Sequence, residues 1–168
     1  LRNGQWQRAN GTAAEYIALD AGLVHPLPDN VSFETGAALG IPALTAAYAV
    51  LKDGPVDGET VLIHGAGGTV ARLAVQIAVD SGARVIATTG DMAKSGAISA
   101  LGAEAVLDYR DTDLAAAVAA VVGAGGVGRI IDAEVGANLA TSIEILRPMG
   151  VLVGYGSVLR PVTELPFL

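Results

Sequence analysis

The chain has 168 residues, a formal net charge of −7 and no run of Lys or Arg, the opposite of what a general nucleic-acid binder or a protein held on an anionic membrane requires. It contains no Cys, which excludes disulfides and cysteine-ligated zinc within it and is compatible with the cytoplasm, the location expected here. It is 52% hydrophobic but only 4% aromatic, so a core must be assembled from Ala, Val, Ile and Leu, the residues of buried parallel strands under small-residue helices.

The chain opens Leu1-Arg2-Asn3-Gly4, with neither an initiator Met nor an apolar signal core, so the expectation is a fragment without a signal peptide. Two regions differ in texture. In residues 1–55, Gly11 to Leu19 reads as an extended strand, His25-Pro26-Leu27-Pro28 as a stiff connector and Thr45 to Lys52 as a short helix. Residues 56–168 form the second region, where strand and helix patterns alternate. Val61 to His64 is a short apolar run ending at glycines. Val70, Leu73, Ala74 and Ile77 then recur at i, i+3, i+4 and i+7, a helix face closed by Gly82. Arg84 to Thr89 reads as the second strand, and Asp91 as the N-cap of a helix that reaches Leu101 and is closed by Gly102. Ala105 to Tyr109 is the third strand, followed by a helix carrying Leu114, Val118, Val121 and Val122. Val127 to Ala133 is the fourth strand, Leu139 to Leu146 the next helix and Val151 to Tyr155 the fifth strand. The most apolar stretch, Leu114 to Val127, is interrupted by glycines and too short to span a bilayer.

Strands separated by helices in this way predict an α/β fold, a doubly wound parallel sheet with helices on both faces. Its switch point falls beside the first strand, where such sheets bind ligands. Beyond Gly156 the chain runs through Pro161 and Pro166, and the last strand that such folds often carry is not apparent.

The segment His64-Gly65-Ala66-Gly67-Gly68-Thr69-Val70-Ala71 lies between a predicted strand and a predicted helix, the context of a Rossmann-type dinucleotide fingerprint. Gly68 takes the second glycine place, where backbone approaches pyrophosphate, and Ala71 the permitted small third place, with Ala66 at the first. Beside Gly67 and Gly68, the amides of Thr69 and Val70 at the helix N-terminus can donate to phosphate. A P-loop is disfavoured, since no Gly-Lys-Ser/Thr follows. An acid that would hold the ribose of NADH is expected about 20 residues on. Thr88-Thr89-Gly90 stands there instead, which favours NADPH. Asp91 is close by but reads as an N-cap.

The sequence resembles the medium-chain dehydrogenase/reductase superfamily, particularly its zinc-independent quinone oxidoreductase (zeta-crystallin-like) and enoyl reductase branch. The resemblance is carried by Gly11-Thr12-Ala13-Ala14-Glu15-Tyr16, Pro26-Leu27-Pro28, Leu44-Thr45-Ala46-Ala47-Tyr48, Val61 through Ala78, Leu101-Gly102-Ala103, Asp108-Tyr109-Arg110 and Leu146-Arg147-Pro148-Met149-Gly150. Gly68-Thr69-Val70-Ala71 departs from the family's common Gly-Gly-Val-Gly. The resemblance implies that residues 1–55 are a remnant of a GroES-like catalytic domain. It also implies hydride transfer from NADPH to a quinone or an activated carbon–carbon double bond of a small molecule. Gly90, Lys94 and Tyr109 match the positions around the 2′-phosphate. Thr45, Val135-Gly136 and Gly154-Tyr155-Gly156 match those near the nicotinamide.

No catalytic residue is assigned. His64 reads as a residue bonding neighbouring loops, Tyr48 and Tyr155 as packing or rim residues, and Asp132 and Glu134 not as a carboxylate pair. No metal constellation is apparent, and a homodimer is left open. The competing readings are a noncatalytic dinucleotide-binding module, crystallin-like or truncated, and a relative of the zinc-type alcohol dehydrogenases. A methyltransferase is disfavoured by Thr89, where an acid would be wanted.

Overall fold

The computed structural model describes residues 14–110, 113–123, 125–161 and 164. The chain divides into two compact units, residues 1–37 and 38–168. In the first, a short 3₁₀ turn at Ala21–Leu23 is capped by Asp20, whose carboxylate accepts the Gly22 amide at 2.8 Å. Of the strand expected over Gly11–Leu19, Gly11 to Ala13 lie outside the described residues, and 14–19 carry no strand.

Helix α1, Phe33–Leu51, is broken at Gly40 (φ 13, ψ −133), two residues ahead of Pro42, which has no amide to continue the ladder. It has the length and mean hydropathy of a membrane span, 19 residues at 1.2. Its second half nevertheless buries Ala46, Ala49 and Val50 in the core of the second unit. The expected short helix Thr45–Lys52 is the last part of this longer one.

The second unit continues β1 Thr60–Ile63, α2 Thr69–Asp80, β2 Arg84–Thr89, α3 Ser95–Ser99, β3 Ala105–Asp108, α4 Leu114–Val122, β4 Val127–Asp132, α5 Val135–Ile145 and β5 Leu146–Gly154. All four pairings are parallel, in the order β3-β2-β1-β4-β5, so the sheet is doubly wound and changes direction at β1. Alternation along the strands explains why both faces are covered. Val61 and Ile63, Val85 and Ala87, and Ile131 join Ala71, Ala74, Val75 and Ala78 of α2 in one core cluster. Leu62, Ile86 and Ile130 join Val118 of α4 and Ile145 of α5 in the other.

Two further elements start several residues ahead of the sequence expectation. Helix α5 begins at Val135, ahead of Leu139, because its first amides are capped from a distance: Val135 N–H donates to the Gly156 carbonyl at 3.3 Å and Gly136 N–H to Ser157 Oγ at 3.1 Å. Strand β5 begins at Leu146, which pairs with Val127. Regular pairing resumes only at Val151 opposite Arg129, with Met149 between them at φ 63.

At the opposite end of β4 from its loop to α5, Arg129 is 2% exposed. Its guanidinium donates to the carbonyls of Val50 at 2.6 Å, Asp53 at 3.2 Å and Gly54 at 3.4 Å, and lies 3.8 Å from the Glu59 carboxylate. It closes the carboxyl end of α1, where helix carbonyls lack intrahelical partners. Arg129→Met should cost about 3 kcal/mol in urea unfolding, because it removes the buried charge facing Glu59 Oε2 and leaves the buried Val50 carbonyl without its donor. A loss below about 1 kcal/mol would mean that water satisfies them.

Candidate functional site

The site forms where β1, β2 and β3 end. His64 extends the β1–β4 ladder by one bond, its N–H donating to the Ile131 carbonyl at 2.9 Å. Gly65 then takes φ +67, a left-handed conformation that suits glycine. The loop is tied to β2 twice: Ala66 N–H donates to the Thr88 carbonyl at 2.7 Å, and Gly65 N–H to Thr88 Oγ1 at 3.2 Å. Gly68 N–H returns to the Gly65 carbonyl at 2.9 Å, and Gly68 becomes the N-cap of α2 with no side-chain cap bond. Among the described residues the amides of Gly67, Thr69, Val70 and Ala71 find no acceptor. Four of the five residues from Gly67 to Ala71 thus present free donors at the positive end of a helix dipole.

Beside this loop an open cleft of about 330 Å³ is lined by Gly65, Gly67, Gly68, Thr89, Gly90, Asp91, Lys94, Tyr109 and Arg110. Lys94 reaches back over the loop, its ammonium 3.9 Å from where a Cβ on Gly67 would stand. Asp91 accepts the Ala93 amide at 3.2 Å, capping the 3₁₀ turn Met92–Lys94 where a helix running to Leu101 was expected, the α-helix proper being only Ser95–Ser99. Its carboxylate lies 3.5 Å from Lys94. On the far wall, a Cβ on Gly90 would stand 2.5 Å from Tyr109 Oη and 2.7 Å from Arg110 Nε, so the third strand's end rests on bare backbone. The Arg110 guanidinium lies 5.8 Å from the Tyr109 ring centre, within reach of a cation–π contact. Two cations face one carboxylate here, in a chain whose net charge is −7.

The structure therefore brings Gly67, Gly68, Gly90, Lys94 and Tyr109 into one cleft, with the Thr69 and Val70 amides free at the adjoining helix start. Arg110 was missed as a site residue, although a second cation directly after Tyr109 at a strand end was a readable signal. Thr45, Gly136, Gly154 and Tyr155 do not line this cleft. Thr45 Oγ1 donates to the Ile41 carbonyl of its own helix at 2.8 Å. Gly136 is covered: a Cβ there would stand 2.1 Å from the Arg160 carbonyl oxygen and 2.6 Å from Ser157 Oγ. The covering segment is held by the Glu134 carboxylate, which accepts the amides of Val158 and Leu159, each at 2.9 Å. Gly154 is exposed, and Tyr155 packs partly buried against the core. Burial, and then the Asp132 charge, raise the Tyr155 phenol above its ordinary 10.0, so it stays protonated at neutral pH.

His64 is 5% exposed, with Nδ1 3.2 Å from Thr88 Oγ1 and, among the described residues, no partner for Nε2. Asp132, 1% exposed, accepts the Glu134 amide at 2.8 Å and the Asn138 side-chain amide at 3.0 Å. It is thus not paired with the Glu134 carboxylate. Among the described residues no group of three or more His, Cys, Asp or Glu is placed to hold a metal ion.

A doubly wound parallel sheet whose first strand ends in a glycine loop at the switch point defines the Rossmann-type class of α/β domains. A family model described as zinc-binding dehydrogenase matches residues 69–167. The chain belongs to that family, in the medium-chain dehydrogenase/reductase superfamily and its quinone oxidoreductase and enoyl reductase branch. It is similar to the quinone oxidoreductase of Sus scrofa, 35% identical over 149 residues, which are 88% of this chain and 45% of that protein. It is also 35% identical to a phenolphthiocerol/phthiocerol polyketide synthase of Mycobacterium tuberculosis over 147 residues, 87% of this chain and 7% of that one. A solved Escherichia coli quinone oxidoreductase complexed with NADPH superposes with a TM-score of 0.76 at 32% identity, over 83% of this chain and 43% of that one. The chain thus spans less than half the length of the quinone oxidoreductases it matches.

Burial pushes the His64 imidazole below its ordinary 6.5, against the Asp132 charge, which raises it. The folded chain then binds fewer protons than the unfolded one as the pH falls below about 6.5. The difference in unfolding free energy between wild type and His64→Asn should be flat above about pH 6.5, turn against wild type as the pH falls from there to the depressed value, and level off below it. A difference that stays flat between about pH 5 and 8 would show a ring with an ordinary pKa.

Proposed function

We propose that this chain is the NADPH-binding part of an oxidoreductase that transfers hydride to a quinone or to an activated carbon–carbon double bond. The observation that carries the cofactor choice is the cleft wall at Gly90. Lys94, Tyr109 and Arg110 converge there, and the end of β2 offers Thr88 and Thr89 in place of a ribose-binding acid. A 2′-phosphate is a dianionic acceptor that suits an ammonium, a guanidinium and a phenol. The free amides of Gly67, Thr69, Val70 and Ala71 suit a pyrophosphate. Bound there, NADPH would supply the hydride, and the chain's own work would be binding and orientation. The likeness to quinone oxidoreductases and to a polyketide synthase supports the substrate class.

Gly68 offers a clean test of the loop. A Cβ there meets only the Gly65 carbonyl oxygen, at an ordinary 3.4 Å, so Gly68→Val should fold as wild type yet lose NADPH binding by calorimetry. Retained affinity in the folded variant would refute pyrophosphate binding. At low salt NADPH should bind about tenfold more tightly than NADH, with the preference shrinking as salt screens it. Lys94→Ala should erode NADPH affinity alone, and Asp91→Asn should widen the preference by relieving Lys94 of its partner. Equal loss for both cofactors in Lys94→Ala would move the 2′-phosphate elsewhere.

By itself the 168-residue chain is expected to bind NADPH without oxidising it in the presence of a quinone. Ser157 and Arg160 cover Gly136, one of the positions the family resemblance places near the nicotinamide. Protein-dependent NADPH oxidation by this chain would show that this cover opens unaided.

A further inference from the structure

The glycine loop hangs from β2 through a hydroxyl whose hydrogen-bonding capacity can be counted. Thr88 is fully buried, and among the described residues its Oγ1 has two contacts, the Gly65 amide and His64 Nδ1, both at 3.2 Å. The amide can only donate, so Oγ1 accepts from Gly65, and the single hydroxyl hydrogen remains to be placed. If His64 carried its proton at Nδ1, that hydrogen would have no acceptor, and Nε2 would be an orphaned acceptor as well. With the proton on Nε2, the Thr88 hydroxyl donates to Nδ1, and only the Nε2–H is left without a partner. The second arrangement leaves one buried polar group unsatisfied where the first leaves two, which decides between them. Burial that keeps the ring neutral agrees with it. The ring is anchored from the other side, since the His64 amide donates to the Ile131 carbonyl of β4.

We propose that His64 is a positioning residue for the glycine loop: Nδ1 accepts the Thr88 hydroxyl hydrogen, which turns a Thr88 lone pair onto the Gly65 amide and holds Gly65 in its left-handed turn. A relay from β4 through His64 and Thr88 to Gly65 thus crosses the switch point and sets the aim of the free amides that follow. The working atom is Nδ1. Nε2 is closed to solvent and His64 is not part of the cleft lining, so His64 does not act as an acid on a ligand. That the aimed amides serve a dinucleotide rests on the function proposed above.

Two amides separate the ring nitrogens chemically. An Asn side chain sets its carbonyl oxygen near the place of Nδ1, whereas Gln sets its polar atoms near that of Nε2. The measurements are Gly65 amide hydrogen exchange in the ligand-free 168-residue chain and its affinity for NADPH by calorimetry. His64→Leu and the isosteric Thr88→Val should each speed Gly65 exchange and weaken NADPH binding by about fivefold to tenfold. His64→Asn should rescue both to within about twofold of wild type, and His64→Gln should rescue neither. Rescue by Gln and not by Asn would make Nε2 the working atom, and equal behaviour of Asn, Gln and Leu would make the ring a space-filler; either outcome overturns the proposal. Wild type that binds no NADPH, with the exchange pattern intact, would sink the dinucleotide reading and leave the relay standing.

Discussion

A fully buried parallel strand has to leave its sheet without abandoning its backbone hydrogen bonds, and β1 meets this requirement at the centre of the sheet. Val61, Leu62 and Ile63 have no exposed surface, and the strand is bonded on both sides. The chain beyond it must therefore turn while its polar groups are still enclosed. His64 borrows a carbonyl from β4, Ala66 borrows one from β2, and Gly68 closes on Gly65. Glycine at φ +67 makes the turn possible, and the helix that follows starts with donors the chain does not use. The cleft, the placement of Lys94 and the start of α2 all follow from that exit.

Net charge says little about such a place. Repulsion from a chain of −7 is spread over its whole surface and screened beyond roughly 10 Å at moderate salt. Lys94 and Arg110 act on a neighbouring anion at contact range. Asp91 is the local counterweight: it caps the turn Met92–Lys94 and pairs with Lys94 at 3.5 Å. Both side chains are about half exposed, at 52% and 53%, so the pair is weak and a stronger anion can draw the lysine away.

Much of this was readable in the sequence because the sheet is made of short apolar runs punctuated by glycine. All five strands fall where the runs do, and Gly82 and Gly102 close their segments at positive φ. The glycine loop was legible because it follows a strand end and precedes a helix, whereas Gly90, Lys94 and Tyr109 were named only through the family resemblance. What escaped depends on contacts between distant parts of the chain. The start of α5 is set by Gly156 and Ser157, some twenty residues later, while Val135-Gly136 itself carries a weak helix signal. The cover over Gly136 arises from Glu134 catching two backbone amides, an arrangement with no sequence period.

Arg129 also bears on the order in which the chain acquires its structure. Its guanidinium closes a helix that ends 79 residues earlier, measured from Val50. Until β4 is laid against β1, the carbonyls at the end of α1 and the Glu59 carboxylate lack this partner. Parallel pairing between distant segments already makes for slow assembly, because loop closure has to precede the reward of contact. During synthesis α1 emerges well before β4, with an apolar face and no core to receive it. The nascent chain thus passes through an interval in which a segment with the length and hydropathy of a membrane span has been made but is not yet fastened by Arg129, and β4 ends that interval.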